Sequence, residues 1–479
     1  MNRTLPSLDE KQAALLPDGG PNLQARSRYG SVDDLCEISN DPLTGDPEKS
    51  ICKVESFEKP DVDLSLDKDK GPEIVYPEGG VHAWLTVFGA FCTQFCSFGW
   101  INTFGIFQQY YLTHQLENYS PTAVSWISSL QSSVMFMGCL FVGRLFDSYG
   151  PRYLLPFGTI LQVVGIMVTS VSTSYPMILV FHGIVAPIGA AFCFNTAVAC
   201  VSSWFKQKRS RALGIMSAGS SIGGIIYPFL IRKLETETSF GWLMRSCGFL
   251  ILALLIVANF TIRSNLEPRG YWLPLYPRDL WTQFKDIDFS LISISYSLGF
   301  VGFTLPFTYI VSAALFSHVN DGLATYLVSI LNACSIFGRL VAALYADRVG
   351  PYNINTIGIL LSGIATLAFW IPAQSTPLHV IYSVVYGFAS GIFVAMIPAC
   401  TAKISAIHDI GTRVGLMFAC LSLANLAGVP IGGVILGDAT LESRWRGMMA
   451  FAGVFLVMGG VVQWIARVKL VGPGLWTSC

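Results

Sequence analysis

Twelve apolar runs, each long enough to cross a bilayer, constrain this chain more than any other feature. A spanning helix needs about twenty mainly apolar residues. Runs of that length lie at 83–107, 123–143, 153–173, 177–202, 212–231 and 243–262. Beyond a polar stretch at 263–288, six more lie at 289–316, 323–345, 355–373, 378–400, 414–436 and 446–468. Inside hydrocarbon every backbone N–H and C=O must be paired within the protein, so such runs fold as helices. Six plus six predicts an all-α integral membrane fold of twelve transmembrane helices, with halves at 79–262 and 289–469 around a loop at 263–288. Composition agrees, since 13% of the 479 residues are charged, about half the share of soluble domains.

Residues 1–78 mix charges, prolines and small polar side chains, as in Asp67-Lys-Asp-Lys70. Such a segment cannot bury enough apolar surface to fold and is expected to be a disordered tail. Ser27 and Ser31, beside Arg26 and Arg28, are candidate phosphorylation sites there. A second, short tail is expected at 470–479. The loops on the N-terminal side carry Arg144 and Arg152, Lys206 to Arg211, Arg263 to Lys285, Arg348, Lys403 and Arg413. The opposite loops carry only Arg232, Lys233, Arg444 and Arg446. The positive-inside rule then predicts cytoplasmic termini. Asn118-Tyr-Ser120, followed by Pro121, is a glycosylation sequon in the first outer loop. With no organelle signal visible, the plasma membrane is the expected location.

An internal repeat supports the division. Asp147-Ser-Tyr-Gly150-Pro151 ends the second run and Asp347-Arg-Val-Gly350-Pro351 ends the eighth. Arg211-Ala-Leu-Gly214 likewise echoes Arg413-Val-Gly415 at the start of the fifth helix of each half. Parallel six-helix repeats place a solute site between the halves. Gly150 suits a tight turn, and Arg152 marks the cytoplasmic interface. Helices five and eleven begin on that side with unpaired N–H groups and a positive dipole end. Asp147 docked at the start of helix eleven, near Arg413, would latch the halves together. Asp347 beside Gly350 would mirror it at the start of helix five, near Arg211. The plainer reading is a helix cap plus topology charges.

These loops resemble the signature of the major facilitator superfamily. More narrowly, the sequence is similar to the fungal branch of its monocarboxylate porter family. Three stretches carry that match: Glu78-Gly-Gly-Val-His-Ala-Trp84, Trp204-Phe-Lys-Gln-Lys-Arg-Ser-Arg-Ala-Leu-Gly214 and Gly219-Ser-Ser-Ile-Gly223-Gly224. Animal members use a lysine in helix one and an Asp–Arg pair in helix eight for proton-coupled carboxylate binding. The resemblance places that arginine at Arg339, whereas Ser335 stands for the Asp and Asn102 for the lysine. Proton–monocarboxylate symport therefore does not carry over as it stands.

Arg339 is notable on physical grounds too. A charge within a span is costly and faces a water-filled cavity or a partner, and the planar guanidinium fits a carboxylate. Snorkelling to the interface or pairing with Asp347 is the competing reading. Further candidates to line a cavity are His182 and Asn195 in helix four, Gln131 in helix two, and Asn332 and Asn425 in the second half. Interhelical hydrogen bonds explain each of these as well. His182 could also carry a proton. Phe104 and Phe107 are candidates for an apolar solute path.

No P-loop, HExxH or catalytic carboxylate pair occurs, no GxSxG string sits at a strand-to-helix elbow, and the twelve cysteines form no CxxC. An enzyme, a primary pump and a metal or other cofactor site are not expected. A net charge of zero gives no field for nucleic acid. The expected function is secondary transport of a small organic solute, anionic or neutral and amphiphilic, most simply export of a fungal secondary metabolite. Proton-linked uptake of a monocarboxylate or vitamin-like solute is the alternative, and a non-transporting nutrient sensor the second. The expected partners are the solute, the bilayer and protons as a coupling ion.

Overall fold

Twelve helices long and apolar enough to span a membrane follow one another along the chain. They are α1 Val81–Ile101, α2 Pro121–Tyr149, α3 Pro151–Thr169, α4 Tyr175–Trp204, α5 Arg209–Glu237 and α6 Phe240–Thr261. The second six are α7 Ile287–Phe316, α8 Asp321–Val349, α9 Pro351–Trp370, α10 Thr376–Lys403, α11 Ile410–Leu436 and α12 Glu442–Val471. The computed structural model describes residues 76–103, 106–107, 110–119, 121–271, 276–406, 409–437 and 441–472, all within the unit Glu73–Cys479. Ser27, Ser31, the tail through residue 75, Phe104, and 473–479 lie outside the described residues.

The helix boundaries have local causes. Gly150 and Gly350 hold φ at +70° and +98°, a region glycine enters freely. Pro151 and Pro351 then occupy the first position of α3 and α9, where a missing N–H costs nothing. Two tight hairpins, α2–α3 and α8–α9, result. The stretch between the halves is not a plain loop. It forms a short helix, Pro277–Gln283, and ends at Asp286, whose carboxylate caps α7 by accepting from the Asp288 N–H at 3.1 Å.

The spans divide into two six-helix halves, α1–α6 and α7–α12, packed along two seams. One seam is α2 against α11, the other α5 against α8. Small residues let the backbones approach, as membrane helix pairs require. A Cβ on Gly415 of α11 would fall 2.2 Å from the Cys139 carbonyl oxygen of α2. Across the other seam Gly214 of α5 faces Ala343 of α8.

An even number of spans brings both ends of the bundle, Tyr76 and Gly472, to one side, the terminal face. The apolar core is continuous across the halves toward that face, joining Phe136, Phe194 and Leu213 to Phe289, Phe300 and Phe418. Toward the far face it separates into two cores, one per half. The first gathers Phe95, Trp100, Tyr227 and Cys247, the second Leu305, Leu331, Tyr386 and Trp445. The molecule is thus closed on the terminal face.

Candidate functional site

The closure is built from carboxylates placed on helix starts. Asp147, near the end of α2, is 8% exposed and accepts from the Thr412 N–H of α11 at 2.9 Å and from the Thr412 hydroxyl. Asp347, near the end of α8, accepts from the N–H groups of Ser210 and Arg211 of α5, each at 2.9 Å. Each acid thereby satisfies orphan donors of a helix in the opposite half and meets the positive end of its dipole. The halves repeat the contact with their roles exchanged.

The arginines expected beside these acids are used otherwise. Arg413 is not the partner of Asp147. Its guanidinium donates to Asp286 at 2.9 Å, Gln283 at 2.8 Å and the Ile404 carbonyl at 2.6 Å. Arg211 serves Asp347 through its backbone N–H, because the two N–H groups already occupy both carboxylate oxygens. Arg152 is exposed.

A linker and a strap reinforce the terminal face. Gly270 donates to the Ser148 carbonyl at 3.0 Å, and Asp279 faces Arg144 at 3.7 Å, both at the end of α2. Arg269 pairs with Asp409 at 3.0 Å just before α11. The linker therefore crosses the α2–α11 seam that Asp147 closes. At the other seam, Glu78 accepts from the N–H groups of Lys206, Gln207 and Lys208 at 2.8, 2.7 and 3.2 Å. Arg209 then reaches across the halves to the Ala402 carbonyl at 2.9 Å, near the end of α10. Asn195 of α4 donates to the Gly411 carbonyl at 3.4 Å and the Cys139 carbonyl at 3.3 Å, so it too belongs to this seal.

Deeper in the bundle the charge pattern is lopsided. Every acid in the spans lies within two residues of a helix end, and every base except Arg339 lies within five. Arg339 lies ten residues before Val349, about 15 Å along α8 at 1.5 Å per residue. It is 5% exposed and forms no ion pair among the described residues; Asp347, its expected alternative partner, is held on α5 instead. The guanidinium donates to the Ser217 carbonyl and the Ser220 hydroxyl of α5, each at 2.7 Å, and to Ser335 at 3.2 Å. A full positive charge is thus buried on the α5–α8 seam among neutral acceptors. Carboxylates satisfy such a fork more strongly than hydroxyls do.

The remaining polar candidates divide. Asn332 of α8 accepts from Asn102, just beyond α1, at 3.5 Å across the halves and donates to the Val328 carbonyl at 3.0 Å. Asn425 and Gln131 are buried on α11 and α2. His182 and Phe107 are placed elsewhere than between the halves. His182 sits in a π-helical turn of α4, 2.9 Å from the Tyr111 hydroxyl, with Trp100 and Phe107 rings 5.8 and 5.5 Å away. These neighbours all belong to the first half, where Phe107 and Tyr111, beyond the end of α1, pack against α4. Asn118 is exposed in the turn that follows Gln115.

Sequence reasoning missed the aromatic rings that meet between the halves: Phe98, Phe136, Phe194, Phe300 and Phe418. Each looks like ordinary core within its own helix. Only the crossing of α1, α2, α4, α7 and α11 brings them together.

The chain matches the Major Facilitator Superfamily over residues 88–357 and 288–474. It is 42% identical over 400 residues to an MFS-type transporter of an Ophiocordyceps species, covering 84% of this chain and 88% of the relative. It is 42% identical over 420 residues to the MFS transporter asaE of Aspergillus flavus, covering 86% and 93%. A fujikurins efflux protein of Gibberella fujikuroi is 37% identical over 422 residues, 88% of each chain. In fold, the chain is similar to the human organic anion transporter MFSD10, with a TM-score of 0.64, 12% identity and coverage of 80% and 98%. The proton:xylose symporter XylE gives a TM-score of 0.62 at 12% identity, covering 80% and 95%. With twelve spans in two latched halves and a family match across both, this chain belongs to the Major Facilitator Superfamily of membrane transporters.

Proposed function

We propose that the chain exports a small organic solute, an anionic or neutral amphiphile of the secondary-metabolite kind, by alternating access between its halves. One observation carries the cargo reading: Arg339 is the only charge deep in the described spans, and every acid lies at a span end. A path with that pattern favours anions and neutral amphiphiles and disfavours cations. The aromatic rings between the halves favour a cargo with an apolar body. The fujikurins efflux protein among the relatives supports outward direction.

The same reading makes the terminal face cytoplasmic, since the arginine- and lysine-rich loops lie there, and the membrane the plasma membrane. Arg339 and Glu78-Gly-Gly at the start of α1 support the monocarboxylate porter branch. Protons are the coupling ion in this reading, in keeping with the proton:xylose symporter XylE among the structures of similar fold.

Metabolite profiles of cells with and without the gene test this. The expected result is one organic product accumulating inside the deletion strain and disappearing from its medium. Slower consumption of a medium solute would overturn export in favour of uptake, and no change in either compartment would count against transport of a metabolite.

A further inference from the structure

Phe418 belongs to the second half, but its ring is seated in the first. It lies 4.9 Å from Phe194 of α4, edge to face, 5.8 Å from Phe136 of α2 and 6.4 Å from Phe98 of α1. Phe98 in turn touches both of the others, 5.0 Å from Phe194 and 5.5 Å from Phe136. They form a socket, and Phe418, 4% exposed, fills it. The opposite wall continues the aromatic surface, since Phe136 meets Phe300 of α7 at 5.5 Å and Phe300 meets Phe303 at 5.0 Å.

In depth, this contact matches Arg339. Phe418 lies eight residues into α11, Phe194 ten before the end of α4, and Arg339 ten before the end of α8. At 1.5 Å per residue all three sit about 12–15 Å from the terminal ends of their helices. Thr412, where Asp147 docks, is six residues nearer the face. The ring therefore lies directly behind the latch.

A buried ring within one half would be core packing alone. This ring crosses a seam that alternating access must open. When the terminal face opens, Phe418 leaves with α11 and the socket is left with three unfilled aromatic walls. Apolar surface of that kind gains from being covered again, and flat π systems cover it best, by stacked or edge-to-face contact.

We infer that Phe418 is a plug occupying, in the closed state, the place where the cargo binds when the terminal face is open. The Phe98–Phe136–Phe194 socket takes a flat aromatic or conjugated body, and Arg339, at the same depth, takes an acidic group on it. This rests on the anionic-amphiphile reading above and narrows it to conjugated acids. It also makes release directional: return of Phe418 to its socket expels the cargo as the terminal face closes.

Equilibrium binding of radiolabelled 2-naphthoate to the purified full-length protein tests the assignment, with cyclohexanecarboxylate and 2-naphthalenemethanol as competitors. Phe418→Ala empties the socket and should bind 2-naphthoate about tenfold tighter than the wild type, while Phe194→Ala should bind it about tenfold weaker. Phe418→Leu, which keeps most of the buried volume, should fall between Phe418→Ala and the wild type and elute as a single species. Both competitors should be at least about tenfold weaker, one lacking the flat ring and the other the charge. If the wild type binds 2-naphthoate and Arg339→Ala loses it, yet Phe418→Ala and Phe418→Leu bind no tighter, the plug is overturned and the anionic cargo stands. If the wild type does not bind 2-naphthoate, the conjugated-acid assignment is overturned, and the metabolite comparison alone then decides export.

Discussion

Asp147 and Asp347 place their carboxylates on backbone N–H groups of the opposite half instead of in the arginine pairs that spacing alone suggests. A hydrogen bond to a charged group contributes about 1.5–3 kcal/mol, and an acid at a helix start up to about 2 kcal/mol more in a partly buried setting. Asp147→Asn keeps the shape but loses the charge and turns an amide toward donors. The closed terminal face should weaken by about tenfold in population. Maleimide labelling of Cys139, fully buried at the α2–α11 seam, in a background without the other cysteines, should accelerate accordingly. Arg339 is the second residue whose charge matters. Arg339→Ala should lower initial transport in proteoliposomes by more than about tenfold while leaving expression and surface delivery intact. Arg339→Lys should not rescue it, because an ammonium cannot reproduce a fork that reaches Ser217, Ser220 and Ser335 together. Unchanged transport in Arg339→Ala would remove this residue from the cargo path.

At the scale of elements, the seams decide which motions are open to the molecule. Gly415 on α11 meets the Cys139 carbonyl so closely that any side chain must push α2 and α11 apart. That contact joins the halves and is not part of either half's own core. Gly415→Val should therefore shift the molecule away from the closed state instead of unfolding it. The expected signature is faster labelling of Cys139 at nearly unchanged melting temperature; a large fall in melting temperature with no gain in labelling would make the glycine a packing residue only. The linker acts at the same seam. Its contacts with Ser148, Arg144, Arg413 and Asp409 clasp α2 and α11 from the terminal side. The seam between α5 and α8 has Glu78 instead, seated on the turn before α5.

For the whole molecule, Asn118 reports on the membrane orientation proposed from the loop charges. Pro121 directly after the sequon hinders glycan transfer, so Pro121→Ala in cells should give a glycosidase-sensitive mobility shift that Asn118→Gln abolishes. A sequon introduced between Asn265 and Pro277 should remain unmodified; a glycan there would reverse the proposed topology. The sequence by itself determined the number of spans, because apolar length is a one-dimensional property that the bilayer reads directly. It also exposed the Asp147 and Asp347 repeat, which two copies of one motif make visible. It did not reveal that Arg413 would be claimed by Asp286, that Phe107 and His182 would face their own half, or that Phe418 would cross into the other. Those outcomes depend on helix rotation and crossing, and a helix apolar on nearly every face carries little periodic signal to set its rotation. Only tertiary packing decided which phenylalanines are core and which meet across the moving seam.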